Sequence, residues 1–303
     1  MAIRFDERVV IVTGSGNGLG RSHALEFARR GARVVVNDLG AARDGSGTSS
    51  DAADAVVQQI LDEGGEAIAN GANVADYGQV EAMVAAALER WGRVDVLVNN
   101  AGILRDKTFA KMQLSDFQLV LDVHLAGSVN CTKAVWELMR EQQYGRIVMT
   151  SSSSGLYGNF GQTNYGAAKM AVVGFMNSLA LEGGKYGIRV NSLAPIAATR
   201  MTQDLMTSEV LALLEPEAVT PAVIFLASED APTRQILAAG AGVFAKVVVQ
   251  ETPGVFLPQG RRDAEHIASA WEQISDTAGG RELQAGGEQT MKFLQKAAAE
   301  LGL

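Results

Sequence analysis

Apolar runs and mixed helical patterns alternate along most of the chain. RVVIVTG at 8–14 is a short apolar run closed by glycine and predicts a strand. Helical spacing follows from Leu19 to Arg30, and ARVVVND at 32–38 predicts a second strand. The Gly- and Ser-rich stretch from Leu39 to Ser50 predicts a loop. DAADAVVQQILDEG at 51–64 is an amphipathic helix, with Asp51 as a possible cap and Gly64 as its stop. A third strand and turn come next in EAIANGANV, then a helix at 77–92 and a fourth strand at 94–102. The pattern then predicts a helix over 115–142, a strand over 145–152, a helix over 163–182 and a strand over 188–195. Strands apolar at nearly every position are covered on both faces, so the succession predicts an α/β doubly wound parallel sheet. The tail is less regular, with a strand-like run at 243–249 and helical patterns at 263–274 and 286–300. We expect one domain over 1–240 and a C-terminal extension over 241–303 packed on it.

Composition narrows the function classes. Lysine plus arginine is 26 against 34 aspartate plus glutamate, a net charge of −8. General nucleic-acid or anionic-membrane binding is a poor fit to that balance, although a local basic pocket remains compatible with it. The single cysteine, Cys131, excludes an internal disulfide and a multi-cysteine metal site, and no metal is expected. It reads as a small buried apolar residue. No targeting pattern or membrane-length apolar run is evident, and the final AAELGL is not a peroxisomal SKL-type address. The expectation is a soluble cytoplasmic protein. Glycine, at 33 residues, is in excess.

Part of that excess sits in TGSGNGLG, residues 13–20, between the first strand and the first helix. The spacing fits T-G-x-x-x-G-x-G through Thr13, Gly14, Gly18 and Gly20, and does not fit G-x-G-x-x-G because position 19 is Leu19. Residues without Cβ let backbone amides approach a pyrophosphate at a helix N-terminus. Asp38 ends the next strand, 18 residues after Gly20. A carboxylate there accepts from a ribose 2′-hydroxyl and repels a 2′-phosphate. With the uncharged Ser15 in the loop, it favours NAD over NADP, while Arg43 is a counter-indication. Together these features predict a Rossmann-type dinucleotide site.

Downstream, NYGAAKMAVVGF carries Tyr165 and Lys169 at i, i+4, on one helix face. A tyrosine of ordinary pKa near 10 needs its phenolate stabilised by roughly 4 kcal/mol to work near pH 7, and a neighbouring ammonium acts in that direction. Ser152, 13 residues before Tyr165, ends a strand and is placed to hold a substrate oxygen.

These motifs, with NNAG at 99–102 and AP at 194–195, resemble the short-chain dehydrogenase/reductase family over about residues 5–230. The resemblance implies that Tyr165 is the proton donor or acceptor and that Ser152 orients the substrate carbonyl. It gives Lys169 two roles, binding the nicotinamide ribose and lowering the Tyr165 pKa. It also implies cofactor contacts by Gly14, Ser15, Asn17, Gly18, Leu19, Gly20, Asp38, Asn73, Val74, Asn100, Ala101, Gly102, Pro195, Ile196 and Thr199. Three departures stand out: Asn73-Val74 where the family has Asp-Val, Pro195-Ile196 where it has Pro-Gly, and His124 where it has a proton-relay asparagine. A histidine passes protons as well, with a charge state that changes near neutrality. His124 is therefore expected among the catalytic residues.

Longer strings, VVNDLG, VHLAGS, YGRIVMTSSSSGLYGNFGQTNYGAAK and RMTQ, resemble one branch of the family, the (3R)-hydroxyacyl-CoA dehydrogenase domains of peroxisomal multifunctional enzymes type 2 and their bacterial stand-alone relatives. This implies oxidation of a (3R)-3-hydroxyacyl-CoA with NAD, with a hydroxysteroid or steroid side-chain acyl-CoA as runner-up and an NADPH-linked ketoacyl reductase as a third variant. A non-catalytic NAD-sensing regulator is the alternative from another class. CoA is anionic, so Arg105, Lys107, Arg200, Lys246, Arg261 and Arg262 are candidate contacts, each otherwise ordinary surface charge. Residues 196–221, with Met201, Leu205, Met206, Leu211, Leu213 and Leu214, are either an apolar lid or a packed helix. The family pairs helices 163–182 and 115–142 across a twofold axis, which implies a homodimer or homotetramer.

Overall fold

The structure, a computed structural model, describes residues 2–197 and 213–303. The chain divides into two compact units, Met1–Lys246 and Val247–Leu303.

In the first unit the strands are β1 (Val9–Thr13), β2 (Arg33–Asn37), β3 (Glu66–Asn70), β4 (Val96–Asn99), β5 (Gly145–Thr150), β6 (Ile188–Pro195), β7 (Ile236–Gly240) and β8 (Val243–Val247). They form one sheet in the order β3-β2-β1-β4-β5-β6-β7-β8. Every pairing from β3 to β7 is parallel. Ala241 and Gly242, both at positive φ, turn the chain tightly from β7 into β8. All residues of β1, β4 and β5 are buried, which is why their apolar runs do not alternate. Each such Val or Ile contributes about 1.5–3 kcal/mol by leaving water.

The helices of this unit are α1 (Gly18–Arg29), α2 (Asp51–Asp62), α3 (Tyr77–Trp91), α4 (Leu114–Leu121), α5 (Gly127–Gln142), α6 (Ser153–Tyr157), α7 (Thr163–Gly183) and α8 (Thr220–Leu226). α1 packs against α2 and α8, whereas α3 packs against α5 and α4 against α7. The expected α/β Rossmann-type sheet is therefore present. The strand order reverses at β1, whose neighbours are β2 and β4, so a crevice opens at the carboxyl ends of β1 and β4.

One element differs from the pattern. The helix predicted over 115–142 is interrupted by a π-helical turn, Asp122–Ala126, between α4 and α5. A single wide turn shifts the apolar face by about one residue, too little to show in a 3.6-residue period. The short α6 and the strand β7 were also absent from the pattern-based expectation.

The second unit holds β9 (Gln250–Glu251) paired antiparallel with β10 (Arg281–Glu282), and the helices α9 (Ala264–Ser269), α10 (Trp271–Ser275) and α11 (Gly286–Leu301). The helix predicted over 263–274 is thus two short ones. Lys292 pairs with Glu251 at 2.7 Å.

At the amino ends of the strands, buried Asp95 pairs with Arg8 at 2.9 Å and Arg93 at 2.6 Å and accepts from the Val9 amide. On the α1–α8 side, His23 is fully buried, and its Nδ1 lies 2.8 Å from Thr220 Oγ1. Burial lowers its pKa from 6.5 to about 3. His124, in the π turn, is also lowered well below 6.5, by burial first and by Lys169 second. Below pH 6.5 the unfolded chain takes up protons that these folded-state imidazoles refuse, so stability is lost as pH falls from 6.5 towards about 3 for His23. The expected slope is about 1.4 kcal/mol per pH unit for each histidine well below 6.5. Urea unfolding of the wild type and of His23→Leu between pH 6.5 and 4.5 checks this. The variant loses one histidine's share of the slope, and an unchanged slope counts against it.

Candidate active site

The glycine loop leaves β1 and enters α1 beneath the crevice. Three of its glycines, Gly14, Gly16 and Gly20, have no room for a side chain. A Cβ on Gly16 would lie 2.8 Å from both Ala52 Cβ and Asp38 Oδ2, and one on Gly20 would run into the Gly14 carbonyl and Asn100 Nδ2. The loop is tied to β4 through Asn100, whose Nδ2 donates to the Thr13 and Gly14 carbonyls at 2.9 Å each. The amides of Asn100 and Ala101 donate to Thr13 Oγ1 at 3.0 Å. Asn17, the residue before α1, makes no side-chain cap bond, so it leaves the first amides of that helix to other acceptors.

Asp38 is fixed at both carboxylate oxygens: Oδ2 accepts from the Gly16 amide and Oδ1 from the Gly40 amide, each at 2.7 Å. Its negative charge is therefore held at the edge of the cradle. Ser15 turns inward, its hydroxyl donating to the Val12 carbonyl at 2.8 Å, so its side chain faces the sheet. Asn73 bonds within its own turn, to the Ala75 amide at 3.0 Å, and Val74 is buried with its carbonyl held by Asn130 at 2.9 Å.

The second cluster forms at the carboxyl end of β5 and the start of α7. Lys169 is buried, and its Nζ donates to the Thr150 carbonyl at 2.6 Å. The same nitrogen lies 5.5 Å from the centre of the Tyr165 ring. Ser152, at the N-cap of α6, accepts from the Ser154 amide at 3.2 Å. Crowding by protein atoms raises the Tyr165 pKa to about 12, and a side-chain hydrogen bond with Ser152 pulls the other way. Burial alone lowers Lys169 from 10.5 to about 7. Burial thus moves the phenol upward, opposite to the shift that the sequence led us to expect from a neighbouring ammonium.

His124 meets Tyr165 edge to face, with ring centres 5.2 Å apart at 86°. Its Nε2 lies 3.1 Å from the Ile103 amide nitrogen and 2.9 Å from the Ile103 carbonyl oxygen, and the tautomer decides which bond forms. Its Nδ1 is buried without a partner among the described residues. Gly102 makes room for this ring, since a Cβ there would fall onto it. With its pKa well below 6.5, the imidazole is neutral at pH 7, so it does not change charge near neutrality as a free histidine would.

The predicted residues thus gather along one edge. Asn99 binds behind it, to Thr132 at 3.2 Å. Ile196 follows β6 and is exposed, with its amide donating to Ala239 at 2.8 Å. Thr199 and Arg200, and Met201, Leu205, Met206 and Leu211 of the suggested lid, lie outside the described residues. Cys131 is buried, with its thiol pushed up to about 12 by burial. The sequence reading missed Thr150, which supplies only a backbone carbonyl, and Asn164, fully buried, whose side chain donates to the Arg105 carbonyl at 3.0 Å. The run NYG carries the second signal in plain view, because an asparagine beside the tyrosine at a helix start is a natural backbone clip. Arg105 itself is occupied by Asp116 and the Asp44 carbonyl, and is not a loose surface cation.

Residues 8–209 match the family model described as short chain dehydrogenase. A protein of Mycobacterium tuberculosis named as a short-chain type dehydrogenase/reductase is 48% identical over 276 residues, covering 91% of this chain and 96% of that protein. The mouse peroxisomal multifunctional enzyme type 2 is 46% identical over 280 residues, covering 90% of this chain, which spans 37% of that longer protein. Among solved structures, a 7α-hydroxysteroid dehydrogenase complexed with NADH and 7-oxo glycochenodeoxycholic acid superposes with a TM-score of 0.71 at 30% identity, covering 79% of this chain and 95% of that one. No described helix is long and apolar enough to cross a membrane. An oxidoreductase that uses a nicotinamide cofactor accounts for the glycine cradle, the carboxylate beside it and the family match together. The chain belongs to the short-chain dehydrogenase family.

Proposed function

We propose that this enzyme oxidises a secondary alcohol to a ketone with NAD, and that the alcohol is a (3R)-3-hydroxyacyl-CoA. The observation that carries the chemistry is the convergence of Ser152, Tyr165 and Lys169, with Lys169 Nζ anchored 2.6 Å from the Thr150 carbonyl. When bound, the oxidised nicotinamide ring supplies the hydride acceptor. Ser152 holds the substrate oxygen and Tyr165 takes its hydroxyl proton. Lys169, on the same helix face, binds the ribose and, when protonated, stabilises the phenolate that accepts the proton. His124 stays neutral and holds the Ile103 peptide and the edge of the Tyr165 ring. Residues Gly14 to Gly20 hold the pyrophosphate, and Asp38 holds the adenosine ribose.

The acyl-CoA reading is supported by the resemblance of VVNDLG, VHLAGS and the run 144–169 to (3R)-hydroxyacyl-CoA dehydrogenase domains and by the apolar residues beside the cluster. Tyr157 and Phe160, between Ser152 and Tyr165, are 74% and 88% exposed, and Ile196 is 48% exposed. Such groups suit a long apolar tail. Exposed Lys107, whose amide donates to the Gly161 carbonyl at 2.9 Å, is the candidate cation for a CoA phosphate. The bile-acid ligand of the solved relative supports a hydroxysteroid as second reading. A homodimer or homotetramer belongs to the same proposal, supported by exposed Val129 on α5 and exposed Met170 and Leu181 on α7. The peroxisomal name of the mouse relative supports an organelle as the alternative to the cytoplasm.

Side-by-side kcat/KM on (3R)-3-hydroxyacyl-CoA esters and 17β-hydroxysteroids checks the substrate, and a clear steroid preference overturns the first reading. Tyr165→Phe is expected to lower kcat at least about a hundredfold. NAD binding, followed by fluorescence titration, stays within a few fold of wild type. Retained turnover removes Tyr165 from its role. Wild type should prefer NAD to NADP in kcat/KM, and Asp38→Ser should shrink that preference by about tenfold or more, since it removes the charge that repels a 2′-phosphate. An NADP preference in wild type defeats the assignment.

A further inference from the structure

Arg105 lies outside both clusters, yet it touches a segment belonging to each. Its Nε donates to the Asp44 carbonyl at 2.8 Å, in the loop that follows Asp38. Its Nη1 pairs with Asp116 Oδ1 at 2.6 Å, in α4. Its own carbonyl accepts from Asn164 Nδ2 at 3.0 Å, and Asn164 Oδ1 accepts from the Tyr165 amide at 2.8 Å. The neighbouring residues extend the link in both directions. The Leu104 amide donates to the Arg43 carbonyl at 3.0 Å, and Ile103 lies against Gly45. On the other side Asp106 accepts from Gln162 at 2.8 Å, Gln162 accepts from the Ser154 hydroxyl at 2.8 Å, and the Ser154 amide donates to Ser152 Oγ.

From this we infer that Arg105 is a positioning residue that joins the loop beside Asp38 to the start of the Tyr165 helix, so that order at the adenosine end of the site fixes the acid/base at the other. The inference rests on the roles proposed above for Asp38 and Tyr165. A guanidinium suits the task because its planar fork holds a carbonyl and a carboxylate at once, in directions that a lysine ammonium on one stem does not match. The loop after Asp38 turns on itself through Ala42 to Ser46 and Ser49 to Leu39, with Gly40, Gly45 and Gly47 at positive φ, and the Arg105 and Leu104 contacts tie these turns to the segment after β4. Misplacing a catalytic group by about 1 Å costs on the order of a hundredfold in rate, so a clamp remote from the reacting atoms still registers in kcat.

The test is steady-state kinetics on the intact chain with NAD and 3-hydroxybutyryl-CoA, repeated with the N-acetylcysteamine thioester of the same acid. Arg105→Ala is expected to raise the KM for NAD and to lower kcat, each about tenfold, equally for both thioesters. Arg105→Lys keeps a charge opposite Asp116 but loses the Asp44 contact, so both parameters stay impaired; recovery of kcat with the KM for NAD still high would show the two ends uncoupled and overturns the proposal. A purely structural role would lower the melting temperature and leave the KM and kcat of the folded fraction alone, which overturns the proposal. A defect confined to the KM of the CoA ester makes Arg105 a CoA contact and overturns it too. If Arg105→Ala does not fold, Asp116→Asn takes its place, with the same two changes expected at smaller size; no change in either parameter overturns the clamp. An inert Tyr165→Phe beside an unaffected Arg105→Ala removes the clamp alone, whereas an active Tyr165→Phe removes the reading beneath it.

Discussion

An amine buried against a backbone carbonyl is the constraint on which the carboxyl edge of this sheet depends. Lys169 is 4% exposed, and burial takes its pKa from 10.5 to about 7. The folded chain therefore binds fewer protons than the unfolded chain between those values. Stability carries the full cost of the buried ammonium below about pH 7 and recovers as pH rises towards 10.5. The surroundings are arranged to keep the group in place despite that cost. Thr150 presents its carbonyl to Nζ, and the Ser151 hydroxyl holds the Lys169 carbonyl at 2.7 Å. Gly155 brings α6 against the lysine backbone, where a Cβ would come within 2.8 Å of Lys169 C and Cβ. The end of β5, the short α6 and the first turns of α7 thus meet at one residue, through its amine, its carbonyl and its backbone.

The same burial acts on Tyr165, which moves to about 12, so the two partners shift in opposite directions. Phenol with amine and phenolate with ammonium carry the same total charge and differ by one transferred proton. In a dry site the uncharged pair is favoured, because it separates no charge. The ionic pair becomes competitive when a neighbouring positive charge or a hydrogen-bond donor favours the phenolate. Ser152 is already placed as such a donor. His124 adds no third charge to this balance, because its own burial keeps it neutral at pH 7.

The regular part of this molecule was legible in the sequence. Val9 to Thr13 and Val96 to Asn99 are buried at every position, and such strands announce themselves as unbroken apolar runs. The glycine loop was legible for a related reason: a close backbone approach excludes Cβ, and that exclusion is written in residue type. The inward turn of Ser15, the π turn at His124 and the anchoring of Lys169 by Thr150 were not legible. Each depends on a backbone atom or on a rotamer, and neither has a one-letter code. Arg105 was misjudged as a surface cation because its acceptors, the Asp44 carbonyl and the Asp116 carboxylate, lie 61 and 11 residues away.

These illegible features are gathered in one place. The loop 39–50 and the π turn are two irregular stretches beside the site, and both meet the segment that begins at Ile103. Gly45 lies against the Ile103 side chain, and His124 meets the Ile103 peptide. A regular helix or strand satisfies its amides and carbonyls within itself or with its neighbour in the sheet. An irregular segment must find partners elsewhere, and buried groups that fail to do so are costly. Irregular segments therefore tend to satisfy one another, and they do so where the regular sheet ends. In a parallel sheet with its order reversed at β1, that place is the carboxyl edge, already opened as a crevice by topology. The segment Ile103–Asp106 lies at this junction because it follows β4, the strand that lines the crevice opposite β1. Its polar groups are consequently the ones left to connect Asp38, Ser152 and Tyr165, three residues that no single regular element brings together.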